Sequence, residues 1–182
     1  LGGNNKNGNV KEKNMETIRA IVYESNTGYT RKYAEMLSAE TGIPSYDRKA
    51  AGGFLKSGDE IIFMGWLSAG MVIGFNKAAK EYKVKALCGV GLGAPNDEQV
   101  NQLKNRYAKL KVPVFYLRGG FDMERLKGFN KFLMKLFLKS AIASYNKTKD
   151  EEKAKMIDAM KYGADFVKKE NLAPVISFLT EK

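Results

Sequence analysis

The chain has 182 residues, is 44% hydrophobic and carries a formal charge of +11, a size and apolar fraction that suit one domain with one core. It contains no histidine and one cysteine, Cys88. That excludes Ser-His-Asp and Cys-His nucleophiles, an internal disulfide and the usual zinc sites, and it leaves redox or group-transfer chemistry to a cofactor.

Leu1 to Asn14 is rich in Asn, Gly and Lys. It has no signal-peptide apolar segment and reads as a flexible tail or an expression remnant, with a single domain expected over 15–182. Ile18 to Tyr23 (IRAIVY) is short, apolar and β-branched, the pattern of a buried strand. Thr30 to Thr41 gathers Tyr33, Ala34, Met36 and Leu37 on one helical side, and Gly42 and Pro44 stop it. Pro44 to Asp47 is expected as a short second strand. The Gly-rich stretch 48–58 leaves room only for a reduced helix. Glu60 to Met64 is a third buried strand, expected to close at Gly65. Val72 to Tyr82 reads as a helix and Val84 to Val90 as a strand. Asn96 to Leu110 reads as a helix opened by Pro95, and Val112 to Leu117 as the last strand. Strands alternating with helices predict an α/β fold, a doubly wound parallel sheet with helices on both faces.

Beyond the last strand the sequence adds material. Arg118 to Lys127 is irregular and basic. Gly128 to Tyr145 predicts a long helix, with Lys127, Lys131, Lys135 and Lys139 as a basic stripe. Its apolar face (Phe129, Phe132, Leu133, Leu136, Phe137) is widened by Met134, Leu138, Ala141 and Tyr145, more than one core contact needs. The simplest expectation is that the neighbouring helix and the tail cover the surplus; a membrane interface, a partner or a hydrophobic substrate would serve equally. Asp150 to Glu170 predicts that neighbouring helix, with Ala154, Ile157, Met160, Ala164 and Val167 turned to the sheet. Pro174 to Leu179 is expected to pack back onto the body.

The chemistry concentrates in Ser25-Asn26-Thr27-Gly28-Tyr29-Thr30, between the first strand and the first helix. A helix N-terminus offers unpaired backbone N–H groups and a positive dipole end, three hydroxyls add donors, and Gly28 lets the backbone approach closely. The loop has neither the lysine of a Walker A loop nor the GxGxxG spacing of dinucleotide folds. A single terminal phosphate suits it; an ordinary helix cap is the plainer alternative.

The pattern [ST]-x-T-G-x-T after the first strand resembles flavodoxins, and SNTGYT matches it fully. The resemblance runs over about Ile18 to Val167. It implies a flavodoxin-like three-layer α/β/α fold with a five-stranded sheet in order 2-1-3-4-5 and FMN at the switch point. It further implies that the hydroxyls of Ser25, Thr27 and Thr30 and the amides of Asn26, Gly28 and Tyr29 hold the FMN phosphate. Trp66, Leu67, Ser68, Ala69 and Gly70 would lie along the flavin ring, with Gly91, Leu92, Gly93 and Ala94 on its other side. The places where many flavodoxins put an aromatic hold Ser68 and Ala69. Trp66 can therefore stack on the ring or pack in the core, and Tyr29 or Phe121 can help cover it.

Electron-carrier flavodoxins are acidic, and this chain is basic. Tyr116 to Ser140 (YLRGGFDMERLKGFNKFLMKLFLKS) is similar to the insertion of the flavodoxin-type protoporphyrinogen dehydrogenases. That likeness implies substrate handling and membrane contact by the insertion, with quinones accepting electrons. Arg118, Arg125 and Lys127 would stand near the flavin edge, where they could hold acidic groups such as porphyrin propionates or equally sit solvated on the surface. The expected activity is FMN-based electron transfer or dehydrogenation; a binding module that has lost tight FMN is the alternative. The expected partners are a redox protein or a small electron donor or acceptor, with peripheral membrane contact or a quinone at helix 128–145. Nucleic acid is not expected, because the lysines are dispersed and no motif accompanies them. The lone cysteine fits a cytoplasmic location, with the basic helix allowing a membrane-peripheral one.

Overall fold

The computed structural model describes residues 17–126 and 128–180, so the expected tail 1–14 and Lys127 lie outside it. Three strands make the middle and one edge of the sheet: β1 (Ala20–Glu24), β2 (Ser45–Asp47) and β3 (Glu60–Ser68). A two-residue strand, β4 (Met71–Val72), turns back on β3. The sheet continues with β5 (Lys83–Gly91) and β6 (Val114–Arg118). The order is β2-β1-β3-β5-β6, every pair on this path parallel. This is the expected 2-1-3-4-5 arrangement, because β4 is only an antiparallel arm on β3.

Central parallel strands are covered on both faces, which is why β1 and β3 read as unbroken apolar runs rather than alternating ones. Ile62 and Met64 face one layer, where α1 (Tyr29–Thr41) contributes Tyr33, Ala34 and Leu37. Ile61 and Phe63 face the other, filled by Phe75 and Ala78 of α2 (Phe75–Glu81) and Leu103 of α3 (Asp97–Arg106). The reduced second helix is a single 3-10 turn at Ala51–Gly53.

Three expectations need correction. The third strand passes through Gly65 to Ser68, because Gly65 is paired on both sides, with Glu24 and with Gly89. Val72 belongs to β4, so the helix expected from Val72 begins at Phe75. The helix expected over 150–170 ends at Tyr162. Gly163 has φ +80, a left-handed conformation that favours glycine and stops a helix. Ala164 and Val167 are therefore not on that helix.

The added segment is organised around a second, two-stranded sheet. β7 (Gly120–Phe121) pairs antiparallel with β8 (Ala164–Asp165). Between them run α4 (Gly128–Thr148) and α5 (Glu151–Tyr162). Met160 packs with Phe121 and Leu126, and with Met134 and Leu138 of α4. This cluster, not the main sheet, is what α5 covers. The layer expected of α5 is supplied by α6 (Ala173–Thr180), whose Val175 and Leu179 are fully buried against the sheet. The surplus apolar face of α4 is not fully covered: Phe132, Leu136 and Phe137 are 56%, 47% and 55% exposed. The side chains of Phe129 and Leu133 lie outside the described set. Among the described residues no helix is long and apolar enough to cross a membrane.

Candidate functional site

The loop 25–30 leaves the sheet at Glu24 and enters α1 through Gly28, whose φ of +95 is left-handed. The Ser25 Oγ accepts from the Gly28 N–H at 3.2 Å and from the Arg31 N–H at 3.3 Å. Two backbone donors thus converge on one oxygen, an arrangement suited to an anion at a helix N-terminus. Asn26 is exposed, Ser25 and Thr27 are half-buried, and Thr30 is 2% exposed. The Tyr29 side chain points away from this cradle. It is 7% exposed, and its hydroxyl donates to the Phe121 carbonyl at 3.5 Å. Tyr29 and Phe121 are both committed to packing the added segment onto the loop.

A cleft of about 900 Å³ opens beside the C-terminal ends of β3 and β5. It brings together two of the loops singled out in the sequence: Leu67, Ala69 and Gly70 on one side, Gly91, Leu92 and Gly93 on the other. Trp66, Ser68 and Ala94 do not line it. Trp66 is half-buried, pairs with Val90 and lies on the opposite face of β3 from Leu67. Ser68 pairs with Met71 across the β3–β4 hairpin, and Ala94 is exposed.

The rest of the cleft comes from residues that sequence reasoning did not single out. α3 contributes Gln99, Gln102, Asn105 and Arg106, and α5 contributes Met156. The Gln99 Oε1 is buried and has no hydrogen-bond partner among the described residues. Tyr116 donates to the Gly93 carbonyl at 2.8 Å, and burial pushes its phenol up to about 12, so it stays protonated. Burial also pushes the Cys88 thiol upward, which removes thiolate chemistry from the sheet. Asn96 caps α3, accepting from the Gln99 N–H at 2.8 Å, and the burial of Leu103 turns the helix onto the sheet. The cap would have pointed to Gln99 had the cleft been known.

Of the basic residues expected near the flavin edge, Arg118 and Arg125 fall within the described residues. The Arg118 guanidinium lies 3.7 Å from the centre of the Phe166 ring, and its Nε is buried without a partner among the described residues. Arg125 stands over the loop 25–30. Its Nη1 donates to the Thr27 carbonyl at 3.1 Å, and its Nε pairs with the Asp122 Oδ2 at 3.0 Å. No local sequence signal links Arg125 to a loop almost a hundred residues earlier.

This geometry is a hydroxyl-bearing loop at the end of β1 and a polar-walled cleft at the ends of β3 and β5, on the carboxyl-end side of a doubly wound sheet, where such folds bind ligands. The flavodoxin-domain family model matches residues 20–150, from the start of β1 to just beyond α4. No curated protein matches the chain. Flavodoxin domains bind FMN as a family. With order, loop and cleft all in place, the chain belongs to the flavodoxin family.

Proposed function

We propose that this protein binds FMN and passes electrons through it, as a carrier or as a dehydrogenase of the protoporphyrinogen type. The observation that carries this reading is the cleft itself, where the loops after β3 and β5 face each other at the same end of the parallel sheet as loop 25–30. FMN, when bound, supplies the one- and two-electron chemistry that a chain without histidine or a reactive thiol cannot provide.

The residues present fit that group at both ends. Ser25, Thr27 and Thr30 bring hydroxyls, and the amides around Gly28 already converge on one acceptor. At the ring end, the orphaned Gln99 carbonyl suits a heterocycle that carries an N–H, because a buried acceptor without a partner gains most from a donor. Leu67 and Leu92 supply apolar contact, and Tyr116 holds the Gly93 carbonyl.

The dehydrogenase reading draws on the exposed Phe132, Leu136 and Phe137 of α4, flanked by the exposed Lys135 and Lys139. This is a surface for peripheral membrane contact and a quinone acceptor, and Met156 of the adjoining α5 reaches the cleft.

The purified protein should hold FMN or take it up with a 1:1 stoichiometry. Thr27→Ala combined with Thr30→Ala should weaken FMN by about tenfold or more, since each change removes a donor to a charged group. A colourless protein that cannot be reconstituted would favour a module that keeps the fold without the flavin. Anaerobic mixing with protoporphyrinogen, NAD(P)H and a ferredoxin-type donor, followed by the flavin spectrum, separates carrier from dehydrogenase.

A further inference from the structure

We infer that Arg125 is the residue that makes this site prefer a phosphorylated flavin over the unphosphorylated one. The inference rests on the FMN reading above and adds to it a specific charge.

The loop 25–30 contains no cationic side chain. A phosphate monoester brings roughly −1.5 to −2 charges at neutral pH, which neutral amides and hydroxyls answer only in part. The basic residues next in sequence are already engaged: Arg31 pairs with Glu35 at 2.7 Å and Lys32 pairs with Asp165. Arg125 arrives from elsewhere. Its Nη1 lies 3.1 Å from the Thr27 carbonyl and 3.2 Å from the point where a side chain on Gly28 would begin. The guanidinium therefore lies against the Thr27–Gly28 peptide unit, whose amide is one of the two that converge on the Ser25 oxygen. A guanidinium has five N–H donors in a planar fork. Asp122 takes the Nε and Thr27 takes one on Nη1, and the remaining edge can meet a second anion, as arginine does when it reads phosphate.

The added segment puts it there. Asp122 caps the 3-10 turn Met123–Arg125 through its Oδ1, which accepts from the Glu124 N–H at 2.9 Å. Leu126 and Phe121 on either side are buried with Met160. The cofactor phosphate and the basic segment are thereby linked through one side chain. The plainer account is that Arg125 is a strut joining the segment to the Thr27 carbonyl. A strut would act on every flavin alike, whereas a phosphate partner acts only on FMN.

The test titrates FMN and riboflavin into the full chain, following flavin fluorescence, for the unsubstituted protein, Arg125→Met and Asp122→Asn. Arg125→Met should weaken FMN by about tenfold, the scale of one partly exposed charge-assisted contact, and leave riboflavin within about twofold. Asp122→Asn keeps the Oδ1 acceptor but removes the competing charge. It should tighten FMN by about threefold with riboflavin unchanged. Added salt should shrink the preference for FMN in the unsubstituted protein more than in Arg125→Met. Equal losses for both flavins, or no loss for either, would overturn the role of Arg125 while leaving the FMN reading intact. Failure of the unsubstituted chain to bind FMN would remove the FMN reading and this inference with it.

Discussion

Gln99 places a buried carbonyl oxygen at the wall of the cleft with no partner among the described residues. An acceptor left in that state costs roughly 1–3 kcal/mol. Gln99→Met keeps the length of the side chain and removes the orphan. It should raise the stability of the flavin-free protein by about 1 kcal/mol, seen as a higher denaturant midpoint at unchanged slope. The same change should weaken FMN and riboflavin equally, because the amide meets the ring rather than the phosphate. At this scale the sequence was legible where chemistry is local. Ser25 to Thr30 could be read because a strand, a turn and a helix follow one another within a few residues. Arg125 could not, since it reaches Thr27 only through the folded sheet, and Gln99 could not, because the opposite wall of its cleft comes from the loop after β3.

The β3–β4 hairpin turns through Ala69 and Gly70, with φ of 48 and 73. Two left-handed residues in a two-residue loop make a type I′ turn, which matches the twist of the strands it joins. The first of these is an alanine, and that conformation costs an L-residue with a Cβ about 1 kcal/mol. Ala69→Asn should therefore raise stability by roughly 0.5–1 kcal/mol, measured by chemical denaturation. Elements of this kind explain where sequence and structure part. A lone glycine such as Gly65 reads as a strand end, yet pairing on both sides carries the strand past it. The apolar spacing from Ala154 to Val167 reads as one helix, yet Gly163 divides it and sends the chain into β8. Periodicity reports which residues want burial and is silent on which surface buries them, so α5 packs on the added cluster rather than the main sheet, while the tail helix α6 packs back onto the body as expected.

The molecule as a whole sets a basic body beside a helix whose aromatic face is more than half exposed at Phe132 and Phe137. The order of the five strands came from the flavodoxin resemblance of loop 25–30; that the sheet is parallel and covered on both faces was readable from alternation, because parallel strands need crossovers. The fate of α4 was not, since a wide apolar face is equally compatible with a core, a partner or a lipid surface. We propose the last. Flotation with vesicles rich in anionic phospholipid should carry the protein. Phe132→Ser with Phe137→Ser should weaken that association by at least about tenfold, given the apolar area removed. Vesicles of neutral lipid should retain less, because Lys135 and Lys139 would lose their counter-charges. Unaltered flotation of the double variant would move the contact elsewhere.

The short β7–β8 ribbon also closes a ring of chain. Gly120 stands opposite Asp165 and Phe121 opposite Ala164, so the polypeptide departs and comes home at the same spot. Such a neck is a splice junction. Residues 122–163 can be cut out and the ends rejoined by an Asn-Gly turn, which spans two antiparallel partners without strain. The miniature should still fold, because the clusters on both sheet faces draw on residues outside the excised stretch. It should bind FMN and riboflavin with nearly equal strength and no longer float with vesicles. In this sense the added helices are cargo on a detachable handle, and the same handle could be grafted onto other proteins of the fold.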